Sequence, residues 1–174
     1  MNSSNNFMNR ILRAAKLDAN LYEEVEADKG AMGQAITVVI LASIAAGIGS
    51  LERTGFSGLF IGTITALIAW LIWSYITYTI GTKVLPEKQT EADYGELLRT
   101  IGFSSSPGLL RIIGIIPGLM GIVFLVTGIW MLIAMIIAVR QALDYESTFR
   151  AVGVCIIGWI LQAIVLGIFF AIFK

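Results

Sequence analysis

The chain has 174 residues with twelve basic and twelve acidic side chains, so its net charge is zero and creates no field that would attract nucleic acid. Hydrophobic residues make up 57% of the chain and charged residues only 14%, whereas an average soluble domain is about 25% charged. The absence of histidine and the single cysteine, Cys155, remove the commonest general base, the commonest metal ligand and any intramolecular disulfide. We therefore expect a non-enzymatic membrane protein with no catalytic residue, no cofactor and no metal site.

The first thirty residues are polar, and residues 7–16 within them have a helical pattern that separates apolar from basic side chains. The apolar face comprises Phe7, Met8, Ile11, Leu12 and Ala15, and the other face comprises Asn9, Arg10, Arg13 and Lys16. A basic amphipathic helix of this kind is typical of a membrane surface with anionic lipid. We predict that Phe7, Arg10, Ile11, Arg13 and Lys16 contact such a surface. The alternative is a helix that docks on the protein's own inner loops.

The sign of the charge reverses in residues 18–28, where five acids stand against no basic residue. A solvated acidic connector explains this composition, and a docking strip for a basic partner is the sharper hypothesis. The acids could instead pair with the basic side chains of residues 10–16, which would weaken both functional interpretations. The candidate partner-binding residues of this segment are Leu21, Tyr22, Glu23, Glu24, Glu26 and Asp28.

Four apolar stretches follow, at about residues 31–51, 55–81, 101–139 and 151–173, and a membrane-spanning helix needs about 20 apolar residues. As one helix, the third stretch would be about 58 Å long, roughly twice the hydrocarbon core, so it must hold two spans. Pro117, between two glycines, marks the turn. The sequence therefore predicts an all-α polytopic membrane domain at 31–174. Its five spans fall at about residues 32–51, 57–81, 94–114, 118–139 and 150–173.

Lysine and arginine are distributed unequally between the two sides that five spans define. One side holds Arg10, Arg13, Lys16, Lys29, Lys83, Lys88, Arg99, Arg140 and Arg150, and the other holds only Arg53, Arg111 and Lys174. Because basic residues favour the cytoplasmic side, we predict a cytoplasmic N-terminus and a C-terminus outside. The outer loops are short, so partners would meet the protein mainly at its cytoplasmic face.

The third expected span is interrupted by Ser104, Ser105, Ser106 and Pro107. Proline leaves a backbone carbonyl without its donor, and the three hydroxyls can satisfy such carbonyls, which predicts a kink. The functional alternative is a broken helix that lines a polar cavity. Arg111 lies near the outer end of this span, where snorkelling to the interface is the simpler interpretation. A capping-box pattern at residues 90–93 predicts the start of the helix.

Short motifs are spread over about residues 20–173. They are Leu21-Tyr22-Glu23-Glu24, Leu85-Pro86 before an acidic stretch, Ser106-Pro107-Gly108-Leu109-Leu110, Ile116-Pro117-Gly118 and Arg140-Gln141-Ala142-Leu143. With five spans, this order resembles the Yip domain family, the Ypt/Rab-interacting membrane proteins, and its short prokaryotic members in particular. The resemblance implies a cytoplasmic N-terminus and no known catalytic site. In eukaryotic relatives it implies membrane trafficking, mutual complexes and binding of Rab-type small GTPases through a region with an Asp-Leu-Tyr-Gly-Pro motif, of which this chain keeps Leu21-Tyr22.

The combined pattern favours a non-enzymatic integral membrane scaffold or adaptor that recruits partners through residues 7–29 and 82–99. The expected partners are the lipid bilayer and a membrane or cytoplasmic protein, and a homo-oligomer stays open. The alternative is a small transporter, channel or lipid-handling protein with a polar cavity near Ser104–Pro107. We expect a bacterial inner membrane rather than the Golgi or endoplasmic reticulum. An intramembrane enzyme has no candidate nucleophile–base pair.

Overall fold

The computed structural model describes residues 7–172, with side chains up to Ile164, and all the regular structure in this part of the chain is helical. The α-helices α1–α7 run over Phe7–Ala15, Ala19–Ala27, Met32–Gly49, Leu51–Thr79, Tyr94–Ser104, Met120–Ala142 and Thr148–Ile172. A 3-10 turn at Lys29–Ala31 leads into α3, a π-helical turn at Ile80–Val84 extends α4, and a 3-10 helix at Ser106–Ile115 follows α5. The all-α class is as predicted. Residues 1–6 of the polar N-terminal segment, residues 1–30, and the end of the expected fifth span lie outside the described residues.

Three helical stretches are long and apolar enough to cross a bilayer. They are Lys29–Gly49, Leu51–Val84 and Met120–Ala142, with mean hydropathies of 2.0, 1.9 and 2.8, and they match the first, second and fourth expected spans. The part of α7 with described side chains, Thr148–Ile164, is a shorter apolar helix. Large apolar side chains face outward on these helices, such as Phe60 at 70% exposed and Leu125 at 65%. Such extensive apolar surface is compatible with an integral membrane protein.

The third expected span differs from a single α-helix, because α5 ends at Ser104 and the chain continues as a 3-10 helix. At 1.5 Å per α residue and 2.0 Å per 3-10 residue, the two pieces together measure about 36 Å. Close approaches show that they run alongside α3: Gly102 lies against Ala35, Gly108 against Ala42 and Gly114 against Gly49. The segment therefore extends along the full length of α3.

Serine hydroxyls occupy backbone carbonyls at the break between α5 and the 3-10 helix. Ser104 Oγ donates to the carbonyl of Ile101, and Ser106 Oγ donates to that of Phe103, both at 2.7 Å. Pro107 stands in the first turn of the 3-10 helix, where its missing N–H costs no internal hydrogen bond. The chain therefore changes from α-helix to 3-10 helix here, and serine hydroxyls satisfy the backbone carbonyls of Ile101 and Phe103.

Two turns at the opposite end of the bundle from α2 set the boundaries of the neighbouring helices. Pro117 and Gly118 occupy the centre of a turn closed by a 3.1 Å hydrogen bond from Leu119 N to Ile116 O, and the φ of +82° at Gly118 is that of a type II turn. α6 therefore begins at Met120, slightly later than expected. The expected loop at residues 52–56 is instead the first turn of α4, which kinks at Gly55 with a φ of +61°.

The capping box of α5 lies three residues beyond the expected one. Asp93 accepts a hydrogen bond from the backbone N–H of Glu96 at 2.8 Å, and Glu96 accepts one from the backbone N–H of Asp93 at 2.7 Å. Thr90 instead accepts from the backbone N–H of Glu87. Two N-terminal donors of α5 are satisfied in this way, which fixes its first residue as Tyr94.

Candidate functional site

One end of the bundle, here called the charged end, brings together α2, the segment between α4 and α5, and the turn between α6 and α7. Gln89 donates to the carbonyl of Asp144 at 3.0 Å, and Arg150 donates to that of Pro86 at 2.9 Å. Arg99 on α5 donates to the carbonyl of Val25 at 2.9 Å, which ties α2 to the membrane domain. Segments that are far apart in sequence therefore form one continuous surface.

Helix α1 is held by ion pairs to the acids of α2 and its C-terminal cap. Arg10 is only 2% exposed, and its guanidinium lies 2.9 Å from Glu24 and 2.8 Å from Asp28. It also donates to the side chain of Gln34 on α3 at 3.0 Å. The sequence left open whether the acids of residues 18–28 pair with the basic residues of α1. For Arg10 they do, and its charge is neutralised within the fold.

Arg13 extends the same network towards the turn between α1 and α2. It lies 2.7 Å from Asp18 and also pairs with Glu24. The hydrogen bond from Arg13 holds the pKa of Asp18 below its ordinary value, and the pKa of Arg13 is raised by the same contact. Asp18 in addition accepts from Asn20 N as the N-cap of α2, so one carboxylate both starts the helix and anchors α1.

The side chains of α1 divide differently from the expected pattern, because the helix packs against α5 and the 3-10 helix. Arg10 and Ile11 face the protein, together with Ala14, whereas Met8 and Leu12 are 59% and 53% exposed. Phe7 and Arg13 are half-buried, and Lys16 is exposed. Of the five residues predicted to touch lipid, Arg10 and Ile11 are thus buried in protein contacts.

The predicted partner-binding residues of α2 do not share one environment. Leu21 and Tyr22 are fully buried in the core, so they cannot meet a partner while α2 is docked. Glu24 and Asp28 belong to the ion-pair network of α1. Glu23, together with Glu26, remains at the surface of the charged end, where Glu23 accepts a 2.6 Å hydrogen bond from Gln141.

A polar pocket of about 760 Å³ opens at the charged end, and we call it the acidic pocket. Its lining includes the carboxylates of Glu23, Glu26, Glu96, Asp144 and Glu146 and the guanidinium of Arg140. The pKa of Glu26 is raised to about 8, first by burial and then by the nearby carboxylates of Asp144 and Glu96. Arg140 is engaged with backbone carbonyls of Tyr145 and Glu146 rather than with an acid in an ion pair. The pocket is therefore a concave region of negative potential.

A second cavity, of about 590 Å³, lies among α3, α4, α5 with its 3-10 extension, α6 and α7, and we call it the bundle cavity. Ser104, Ser105 and Arg111 are part of its lining, and Ser106 and Pro107 are not. The structure thus brings three of the five candidate cavity residues together around one space. The other two, Ser106 and Pro107, are buried and do not line it.

Arg111 is the single cationic side chain in the described lining of the bundle cavity. Its Nε donates to Thr127 Oγ1 at 3.2 Å, and its guanidinium carbon lies 5.1 Å from the ring centre of Phe124, a cation–π contact. Its backbone carbonyl lies so close to Gly49 that a Cβ there would approach within 2.0 Å. No carboxylate in the described part of the chain forms an ion pair with it.

Several lining residues were not singled out as cavity residues from the sequence. On α4 the lining follows Thr54, Gly58, Gly62, Ala66 and Trp70, which recur every four residues and so form one ridge inclined to the helix axis. This spacing is a readable signal, but it indicates close helix packing as readily as a cavity. The lining from α7, Trp159 and Gln162, carries no such signal.

Comparison with known protein families decides which family this helical arrangement represents. The Yip1 domain model matches residues 19–171. The chain belongs to the Yip1 domain family. The Yip1 match begins at Ala19, the first residue of α2, so that α1 precedes the matched region and packs onto it. No curated protein and no solved structure matches the chain.

The described residues contain no group of three or more histidines, cysteines or acids that could hold a metal ion.

Proposed function

We propose that this Yip1 family protein is a non-enzymatic membrane scaffold that holds a basic segment of a protein partner in the acidic pocket. The observation that carries the proposal is the pocket itself, a concave surface lined by five acidic residues from α2, α5 and the α6–α7 turn. Glu26, with its pKa raised to about 8, is mostly protonated near pH 7, so the other four supply the negative charge. Opposite charges at an interface speed encounter and select the partner, and a concave site gives a bound segment more contact than a flat face. A basic peptide segment fits both features.

The proposal includes five spans, a cytoplasmic N-terminus, an outer C-terminus and a bacterial inner membrane. Three apolar helices support three of the five spans, and the segment from Tyr94 to Ile115, which runs alongside α3 over its length, supports a fourth. The charged end also gathers most of the lysines and arginines of the described chain, which favours the cytoplasmic side. Leu21 and Tyr22 serve the core, so we do not assign them a contact with a small GTPase or any other partner.

Charge reversal within the pocket tests the scaffold proposal. Full-length protein with Glu23→Lys and Asp144→Lys is expressed in its membrane and crosslinked there, and recovered proteins are identified by mass spectrometry. Two reversals should lower recovery of a stoichiometric partner by about tenfold, because each exposed pair contributes up to about 1 kcal/mol. Glu91→Lys is the matched control, since Glu91 is exposed on the neighbouring segment and outside the pocket lining. Equal partner recovery from both variants would contradict the proposal.

The bundle cavity favours a second candidate function, a lipid-handling or small-transport protein. A space of about 590 Å³ falls within the range of about 300–1,000 Å³ that is usual for ligand sites. Ser105 is the informative residue, because the hydroxyls of Ser104 and Ser106 are used by backbone carbonyls. Ser105→Leu should reduce movement of lipid or solute in liposomes containing the purified protein. Wild-type protein that moves nothing would count against transport of the molecules tested.

A further inference from the structure

We propose that the bundle cavity is a binding site for one glycerophospholipid with an anionic headgroup, which Arg111 holds while an acyl chain lies along α4. The inference rests on the second candidate function and deepens it. It is independent of the acidic pocket, so lipid binding and partner recovery can fail separately.

The shape of the cavity selects an elongated ligand. Beyond the kink at Gly55, its lining on α4 extends from Gly58 to Trp73, and fifteen residues of α-helix correspond to about 22 Å. This length is a large part of the roughly 30 Å hydrocarbon core of a bilayer. A small ion or sugar would fill only one portion, whereas an acyl chain lies naturally in a long groove.

The α4 wall is suited to an acyl chain because it is nearly flat and apolar. Gly58, Gly62 and Ala66 present little side-chain volume to the cavity. A Cβ added at Gly62 would meet no atom within 4 Å, so the space beside this residue is open rather than filled by a neighbouring helix. Within a membrane an acyl chain gains van der Waals contact rather than transfer from water, and such a wall allows close contact along its length.

The polar end of the ligand is specified by Arg111. This guanidinium uses Nε for Thr127, and its terminal nitrogens form no hydrogen bond to any residue in the described part of the chain. Three features coincide there: a permanent positive charge, partial burial, and the absence of an ion pair with the described carboxylates. Removing a cation from water is costly unless it is paired. The phosphodiester of a lipid supplies acceptors for its forked donors, and only a headgroup with no cation of its own leaves a net negative charge to neutralise it.

The position of Arg111 along the bundle agrees with a headgroup site. Its carbonyl adjoins Gly49 at the end of α3, close to the turn that leads into α4. The lining there also includes the hydroxyl-bearing residues Ser50 and Thr54. The cavity is therefore polar around Arg111, and its α4 wall beyond Thr54 is apolar as far as Trp70. The other walls add the polar residues Ser43, Ser104, Ser105 and Gln162. A phospholipid with its headgroup at Arg111 and one acyl chain on the α4 wall fits this distribution.

The test measures lipids retained by the full-length protein. Protein in a neutral detergent is offered phosphatidylglycerol and phosphatidylcholine with identical acyl chains in equal amounts, and native mass spectrometry gives the ratio of the two bound lipids. Wild-type protein should retain one phosphatidylglycerol in preference to phosphatidylcholine. Arg111→Gln should lower this preference about tenfold, because the guanidinium attracts the net negative charge of phosphatidylglycerol and repels the choline cation of phosphatidylcholine. Arg111→Lys keeps the positive charge and should keep much of the preference.

A pair of glycine variants tests the acyl-chain part of the site. Gly62→Leu should displace both lipids because its side chain enters the groove. Gly121→Leu is the matched control: Gly121 on α6 is exposed and open within 4 Å of an added Cβ, as Gly62 is, but it lies outside the lining. Lipid retention should be unchanged in this control. Because the preference is a ratio within one sample, a loss of folded protein lowers both lipids without imitating the Arg111→Gln result.

Three results would overturn the proposal. The first is equal retention of the two lipids by wild-type protein. The second is an unchanged preference in Arg111→Gln. The third is Arg111-dependent binding of inorganic phosphate, offered alone, by protein that retains no phosphatidylglycerol, which would identify a site for free anions rather than for lipid.

Discussion

Replacing Arg10 by glutamine should detach α1 from the membrane domain. The side chain is 2% exposed and donates to Glu24, Asp28 and Gln34 at 2.8–3.0 Å. Breaking a fully buried ion pair costs about 3–5 kcal/mol. Glu24 and Asp28 are 25% and 38% exposed, and Glu24 keeps Arg13, so water and Arg13 recover part of that loss. We therefore expect the docking free energy of α1 to fall by about 2–3 kcal/mol.

Hydrogen exchange of the α1 amides in lipid discs measures this change directly. A loss of about 2–3 kcal/mol corresponds to about 30- to 150-fold less protection if α1 opens locally. Lys16→Gln is the matched control, because it removes the same charge from an exposed residue next to the helix. Protection in α1 that is unchanged by Arg10→Gln, or reduced equally by Lys16→Gln, would refute the role assigned to the buried network.

Three further predictions concern pH, packing and capping. Since the pKa of Glu26 is raised from 4.5 to about 8, the folded state binds its proton more tightly, so stability should fall as pH rises from about 4.5 to 8. Glu26→Gln should flatten this thermal-unfolding profile, and an unchanged slope would contradict it. Gly49→Ala should destabilise by at least about 1–3 kcal/mol, because its Cβ would lie 2.0 Å from the carbonyl oxygen of Arg111, whereas Gly33→Ala, with open space, should not destabilise. Asp93→Ala should cost about 1 kcal/mol and increase hydrogen exchange in the first turn of α5; unaltered exchange would exclude the capping role.

The turns and helix ends show how far local sequence information reaches. Pro117 followed by Gly118 predicted a turn, and a type II turn is present, because the proline φ and the positive glycine φ are properties of those two residues. The capping box was placed three residues too early, since Thr90 and Asp93 both have the chemistry of a helix cap. Sequence pattern identifies capping residue types, and the hydrogen bonds formed decide between neighbours.

The third expected span shows where pattern reasoning stops. Residues Ser104 to Pro107 predicted an interruption of the helix. The sequence could not distinguish a kinked α-helix from a change to 3-10 geometry, because serine hydroxyls can satisfy the same backbone carbonyls in both. The position of this segment alongside α3 depends on small contacts such as Gly102 with Ala35 and Gly108 with Ala42. These pairs are more than sixty positions apart in the chain. Nothing local specifies them.

The candidate sites divide in the same way. Arg111 and Ser105 were recognised as polar residues within an apolar stretch, yet the cavity around them is completed by Trp159 and Gln162 from α7. The acidity of residues 18–28 was evident, but these acids have different roles in the folded protein. Glu24 pairs with the buried Arg10 and the half-buried Arg13, and Glu26 lines a pocket with acids from α5 and the α6–α7 turn.

The amino-acid sequence by itself determined that this protein is all-helical, that it has helices suited to a membrane, and that it belongs to the Yip1 family. These properties follow from runs of apolar residues and short motifs, because a bilayer acts on each helix through its own length and composition. Only the tertiary structure decided that Arg10 is buried, that Tyr22 is a core residue, and that Arg111 borders a cavity. Ion pairs, burial and cavities depend on distances between segments remote in sequence, and packing sets those distances.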